Sequence, residues 1–174
     1  MLKITIVVGN PKAQSRTRQF AEQFVKAAVA GAQTDLQVID LADHAQELMD
    51  WESATIAGLN RRVAESHIAV FASPTFKANF TGMLKMFLDR YPTRGLAGVV
   101  AVGLMTGGDR GHSMAPNVNL IPLLLELGAI VPMRGLFYDA SQFEQIAAAV
   151  AADAAEFRDV LQRIAHAARE LGAG

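Results

Sequence analysis

The sequence contains no cysteine. That excludes disulfide scaffolds, thiolate zinc sites, iron–sulfur clusters and cysteine nucleophiles together. A chain without disulfides fits a reducing compartment, so a cytoplasmic location is expected. Charge is also scarce: charged residues are 19% of the chain and the formal net charge is -1 at pH 7. Without a basic field, neither nucleic acid nor an anionic membrane is an expected partner. Long apolar runs are missing too. The opening run, Leu2–Val8, is too short for a signal peptide or a membrane span.

What is present points to a packed domain. The 174 residues match one domain, expected to span residues 1–174. Apolar residues at 51% rule out intrinsic disorder. A mean hydropathy of +0.21 without a long apolar run implies strands covered on both faces, or a large apolar subunit interface.

Short β-branched runs alternate with longer periodic ones. Leu2–Val8, Leu36–Leu41, Ile68–Ala72 and Val99–Met105 read as strands. Ile130–Tyr138 holds a fifth, broken by Pro132 and Gly135 and so expected at an edge. Helices are predicted over Ser15–Ala30, Ser53–Ser66, Asn79–Arg90, Asn117–Leu127 and Ser141–Leu171. Phe143, Ile146, Val150, Phe157, Val160, Leu161 and Ile164 form the apolar face of the last helix. Strict alternation implies a parallel α/β sheet with right-handed crossovers. At this length the expected arrangement is a flavodoxin-like three-layer sandwich, its five strands ordered 2-1-3-4-5. Ligands of such sheets sit beyond the carboxyl ends of the strands, near strands 1 and 3.

That rule selects three loops. Gly9-Asn10-Pro11-Lys12-Ala13-Gln14-Ser15-Arg16-Thr17 opens onto a helix N-terminus, where free amides and the helix dipole favour an anion such as phosphate. Ser15 and Thr17 could add hydroxyls, and Lys12, Arg16 or Arg18 charge; Ser15 could equally be a plain N-cap. Neither a Walker A loop nor the Gly-x-Gly-x-x-Gly dinucleotide fingerprint occurs. In Ser73-Pro74-Thr75-Phe76-Lys77-Ala78-Asn79, Phe76 could face a planar ligand or a partner subunit, or pack under the loop. In Thr106-Gly107-Gly108-Asp109-Arg110-Gly111-His112, paired glycines allow close backbone approach to a ligand or a flexible turn. His44, His67 and His166 share no metal-ligand spacing, and no nucleophile elbow occurs.

These three segments together resemble the NAD(P)H-dependent FMN reductases. The matching residues are Gly9-x-Pro11-Lys12-x-x-Ser15-Arg16-Thr17, Pro74-x-Phe76-Lys77 with Gly82-x-Leu84-Lys85, and Thr106-Gly107-Gly108 followed by His112. The likeness runs from Leu2 to Phe143 and is nearest the alkanesulfonate-type reductases, which feed reduced FMN to two-component monooxygenases. It departs from that pattern at Asn10, where many relatives have serine, and at Phe76, where tyrosine is commoner. An amide still donates a hydrogen bond, whereas Phe76 can pack but not hydrogen-bond.

The resemblance implies hydride transfer from NADPH or NADH to N5 of FMN, with the flavin rather than a protein triad carrying the chemistry. By carry-over, Asn10, Pro11, Lys12, Ser15, Arg16 and Thr17 hold the phosphate. Pro74, Thr75, Phe76, Lys77 and Asn79 line one side of the isoalloxazine. Thr106, Gly107, Gly108 and Asp109 approach its pyrimidine edge. Arg110 and His112 face either the nicotinamide nucleotide or a subunit interface. Apolar surplus on the third and fourth helices, at Phe80, Met83, Phe87, Leu88, Tyr91 and Leu120–Leu125, suggests a homodimer, which the resemblance extends to a homotetramer. Two rival activities are an FMN-retaining reductase of quinones, azo compounds or metal oxyanions and a non-enzymatic flavodoxin-like electron carrier. Near-neutral charge counts against the carrier. A phospho-acceptor domain of the same topology needs acidic residues where this chain has Gly9-Asn10-Pro11 and Ser73-Pro74.

Overall fold

In the computed structural model, which describes residues 1–172, the strands are β1 (Leu2–Val8), β2 (Thr34–Asp40), β3 (Ile68–Pro74), β4 (Val100–Gly107) and β5 (Leu136–Asp139). They form one parallel sheet in the order β2-β1-β3-β4-β5, as the alternation of elements predicts. The helices are α1 (Arg16–Ala28), α2 (Ala54–Ala64), α3 (Gly82–Leu88), α4 (Ile121–Glu126) and α5 (Ala147–Gly172).

Side chains alternate across a strand, so a sheet buried on both faces needs two cores. Val7, Phe71, Ala101 and Met105 face one core, closed by Val63 of α2, Phe87 and Leu88 of α3, and Leu124 of α4. Ile6, Val8, Val70, Ala72, Val102 and Leu104 face the other, closed by Phe20 and Phe24 of α1 and Val150 and Phe157 of α5. All seven residues of β3 are buried, in keeping with the apolar run Ile68–Ala72. Phe24 meets Phe157 with ring centroids 5.7 Å apart, tying α1 to α5. Near them the Tyr138 hydroxyl donates to Asp153 at 3.0 Å. Burial, reinforced by the Asp153 charge, pushes that phenol well above its ordinary range.

Four elements begin three or more residues later than the sequence predicts. The fifth strand does not begin at Ile130, which makes only an isolated bridge to Val100. Pro132 offers no N–H, and pairing resumes only at Leu136. Regular helix in the fourth begins at Ile121, not Asn117. Pro122 lacks the amide that would bond four residues back and crowds that carbonyl. The chain answers with a wide turn over Pro116–Leu120, in which the Ile121 N–H reaches the Pro116 carbonyl five residues back. The third helix starts at Gly82 rather than Asn79, with Thr81 capping it. The last starts at Ala147, after a short 3₁₀ turn at Ala140–Gln142. Its apolar face also ends early: Ile164 is 47% exposed, so it is not core.

Gly135 lets the wide turn and β5 meet. A Cβ there would lie 2.6 Å from Pro116 Cβ and 3.0 Å from the Pro116 carbonyl carbon. Asn117 Oδ1 accepts the Gly135 N–H at 2.9 Å. Gly135→Ala is expected to destabilise the fold by about 1–3 kcal/mol through overpacking. A urea midpoint lowered at constant m-value checks this.

Candidate functional site

The connections leaving β1, β3 and β4 meet at the carboxyl edge of the sheet. After Val8, the Gly9 N–H bonds the Ala72 carbonyl at 2.7 Å, carrying the β1–β3 pairing one residue past the strand. The Thr81 hydroxyl donates to the Gly9 carbonyl at 2.5 Å, and its oxygen accepts the Leu84 N–H at 3.2 Å. One threonine therefore caps α3 and fastens the first loop. Any Cβ at position 9 would come 2.6 Å from Leu84 Cβ.

The first loop ends in a true N-cap. Ser15 Oγ accepts the Arg18 N–H at 3.3 Å. The amides of Arg16 and Thr17 have no partner among the described residues, and no acidic side chain occupies the first turn of α1. The helix thus presents free donors at its positive end. Arg16 Nη1 donates to the Ala140 carbonyl at 3.0 Å, and its guanidinium lies 5.8 Å from the Phe143 ring centroid. Two bonds from Ser141, hydroxyl and amide, hold the Asp139 carboxyl below the usual range. The same two bonds fix the 3₁₀ turn that carries Ala140.

A chain of polar groups links the first and third loops. Asn10 Oδ1 accepts the Lys12 N–H at 2.9 Å, which turns Asn10 Nδ2 toward Thr17 Oγ1 at 3.1 Å. Thr17 Oγ1 lies 2.8 Å from Thr106 Oγ1. Two hydroxyls share one bond, so one O–H proton is left over. Both side chains are buried and both line the same cleft. The Thr75 hydroxyl, also lining it, has no partner.

The second loop is a two-residue hairpin. Phe76 and Asn79 exchange backbone bonds at 2.8 and 3.1 Å, and Lys77 and Ala78 both have positive φ. Such a turn normally uses glycine or asparagine. Here Asn119 donates to the Ala78 carbonyl at 2.8 Å and holds the tip. Phe76 stands 53% exposed at the cleft.

The cleft measures about 220 Å³. Of the residues singled out from sequence it gathers Asn10, Arg16, Thr17, Pro74, Thr75, Phe76 and Thr106–Gly108. Pro11, Lys12, Ser15, Lys77, Asn79 and Asp109 do not line it. Asn79 closes the hairpin, and Asp109 caps a 3₁₀ turn by accepting the Gly111 N–H at 2.7 Å. Arg18 is not free for an anion, since it pairs with Glu22 at 2.8 Å and lies 3.6 Å from Asp40. Ala140 was missed, because a backbone carbonyl leaves no mark in sequence. A wider cleft of about 380 Å³, with Trp51, Asn60 and Arg90 in its walls, shares no residue with this one.

A family model described as NADPH-dependent FMN reductase matches residues 2–144. The chain belongs to the NADPH-dependent FMN reductase family. An Escherichia coli protein named FMN reductase (NADPH) is 28% identical over 144 residues, covering 81% of this chain and 75% of that protein. A Pseudomonas putida protein of the same name is 30% identical over 146 residues, covering 80% and 72%. Among solved structures, the apo form of the NADH:FMN oxidoreductase EMOB superposes with a TM-score of 0.83 at 27% identity, covering 91% of this chain and 89% of that one.

The residues present suit the family's flavin nucleotide. Its phosphate needs donors and positive potential, which the open first turn of α1 offers. Its other polar atoms need hydrogen bonds, and the unpaired Thr75 hydroxyl and the spare proton of the Thr17–Thr106 pair are available in the same cleft. Thr106→Val, tested without ligand, is expected to lower stability by about 1 kcal/mol. Thr17→Val and Thr106→Val combined should cost less than the sum of the two, because each removes the same bond. Chemical denaturation of the double-mutant cycle measures this.

Proposed function

We propose that the cleft holds FMN and that the chain oxidises NADPH, with NADH as a second donor, to reduce it. The unpartnered donors of α1, the Thr17–Thr106 pair and Thr75 opening into one cleft at the carboxyl edge of the sheet carry this reading. Bound there, FMN supplies the chemistry by accepting the nicotinamide hydride at N5 and passing the electron pair on.

The protein's own contribution is placement. Ser15, Arg16 and Thr17 hold the phosphate through amides, hydroxyls and one guanidinium, and Asn10 keeps Thr17 oriented. Pro11 and Lys12 shape the loop, Lys12 adding charge from its rim. Pro74, Thr75 and Phe76 cover one side of the ring system, backed by the Lys77–Asn79 turn. The Thr106–Gly108 backbone and Asp109 border the pyrimidine edge. Arg16 is held by the Ala140 carbonyl, so its charge stands at a fixed place.

The finer physiology belongs to the same proposal. Reduced FMN is handed to a flavin-dependent monooxygenase, in the cytoplasm, by a single-domain enzyme. Among the described residues no helix is long and apolar enough to cross a membrane. Of the apolar surplus on the third and fourth helices, Phe87, Leu88, Leu120 and Leu124 are buried in the core, which narrows the surface open to a partner subunit. Met114, Val118 and Leu125 remain 63%, 59% and 55% exposed along the Pro116–Leu120 turn and α4, where a homodimer or homotetramer would cover them. Sedimentation should then find no monomer at micromolar concentration; a monomer would remove the oligomer.

With FMN in excess, the purified protein should oxidise NADPH in steady state. Absence of FMN-dependent oxidation of both nicotinamides would overturn the reductase reading. Ser15→Ala with Arg16→Ala should weaken FMN binding by about 100-fold or more, since each of the two charge-assisted bonds contributes about 1.5–3 kcal/mol. Unchanged affinity would remove the phosphate assignment. FMN that survives dialysis would favour the variant in which the flavin stays bound and quinones, azo compounds or metal oxyanions take the electrons.

A further inference from the structure

Asp40 ends β2 in register with Val8, the last residue of β1. It is 3% exposed. Its Oδ2 accepts the backbone N–H of Gln14 at 2.9 Å. Its Oδ1 is buried without a partner. A carboxylate so placed destabilises the strand end it occupies, where an apolar side chain would suit the core better. Gln14 is itself unusual: its φ is +51°, in the left-handed region that non-glycine residues rarely adopt. The next residue is Ser15, the N-cap of α1.

We propose that Asp40 is a positioning residue for the FMN phosphate. It clamps the Gln14 amide and thereby holds the loop that sets Ser15 and the free amides of Arg16 and Thr17 at the cleft. The proposal rests on the reading of the cleft given above. The Gln14 N–H is the one donor within the Gly9–Ser15 turn that the Asp40 carboxylate takes up. Gln19 Nε2 reaches the Gln14 carbonyl at 3.4 Å, a weaker restraint on the same residue. Arg18, held by Glu22, stands 3.6 Å from the carboxylate and offsets its charge, so that the clamp does not repel the anion it serves.

The clamp acts through a backbone conformation, so glycine at position 14 should replace it. Glycine adopts positive φ without help. Asp40→Ala is expected to weaken FMN binding about tenfold or more, read by quenching of flavin fluorescence, and to raise the KM for FMN while kcat at saturating FMN stays within about twofold. Asp40→Asn keeps an acceptor for Gln14 and should stay within about threefold of the wild type. Adding Gln14→Gly to Asp40→Ala should recover most of the lost affinity. Hydrogen exchange at the Gln14 amide reads the clamp without any flavin: protected in the wild type and in Asp40→Asn, fast in Asp40→Ala. Wild-type affinity in Asp40→Ala, or no rescue by Gln14→Gly, overturns the proposal. If Asp40→Ala does not fold, Asp40→Asn decides alone, and a fast-exchanging Gln14 amide there overturns it. A wild type that binds no FMN but protects Gln14 would sink the flavin reading and leave the clamp standing.

Discussion

Everything at the site depends on β1 and β3 being parallel neighbours whose connections leave on opposite sides of the sheet. β1 runs into α1, which packs on one face; β3 runs into α3, which packs on the other. The loops must diverge there, and a cleft opens beyond the strand ends. The divergence is held at a fixed width by contacts that tolerate no extra atom. Thr81 bonds the Gly9 carbonyl, and Leu84 Cβ sits where a side chain of residue 9 would be. The loop of one helix is thus pinned to the cap of the other.

Around that cleft the backbone accepts strain that is rare elsewhere among the described residues. Gln14, Lys77 and Ala78 are three of the four non-glycine residues with positive φ among the described residues, and all three lie in the loops that build the cleft. Two of the side-chain atoms left buried and unpaired, Asp40 Oδ1 and Thr75 Oγ1, belong to the same region. The other three, on Asn60, Arg62 and Arg90, lie away from this cleft, so it is the strained backbone rather than the unpaired atoms that gathers there. The strained backbone is held by side chains from elsewhere: Asp40 at Gln14 and Asn119 at Ala78.

Membership of the FMN reductase family fits this division of labour. A flavin brings its own reactivity, so the protein need not assemble an acid–base triad. It must supply an anion site, a planar slot and directed donors. In the Asn10–Thr17–Thr106 chain the amide orients Thr17, and the two hydroxyls share one bond, which leaves one hydroxyl proton over. Asn10 reaches two partners at once, the Lys12 N–H and Thr17 Oγ1.

The amino-acid sequence by itself determined the layer order, the strand count and the three loops. Alternation, burial on both faces and the handedness of crossovers depend on local pattern and chain chirality alone. It also marked Thr17, Thr75, Phe76 and Thr106 as cleft residues, since they follow strand ends. Tertiary structure decided what local pattern cannot carry. Asn79 directly precedes the apolar helical spacing that begins at Phe80, yet a bridge to Phe76 draws it into a hairpin. Pro122 lay inside a helical period, yet its missing amide widened the turn before it. Arg18 and Arg16 are alike in sequence, but the fold brings Asp40 beside the first and the Ala140 carbonyl to the second. Partners that lie 22 and 124 residues away in sequence are set by packing, and no local periodicity encodes them.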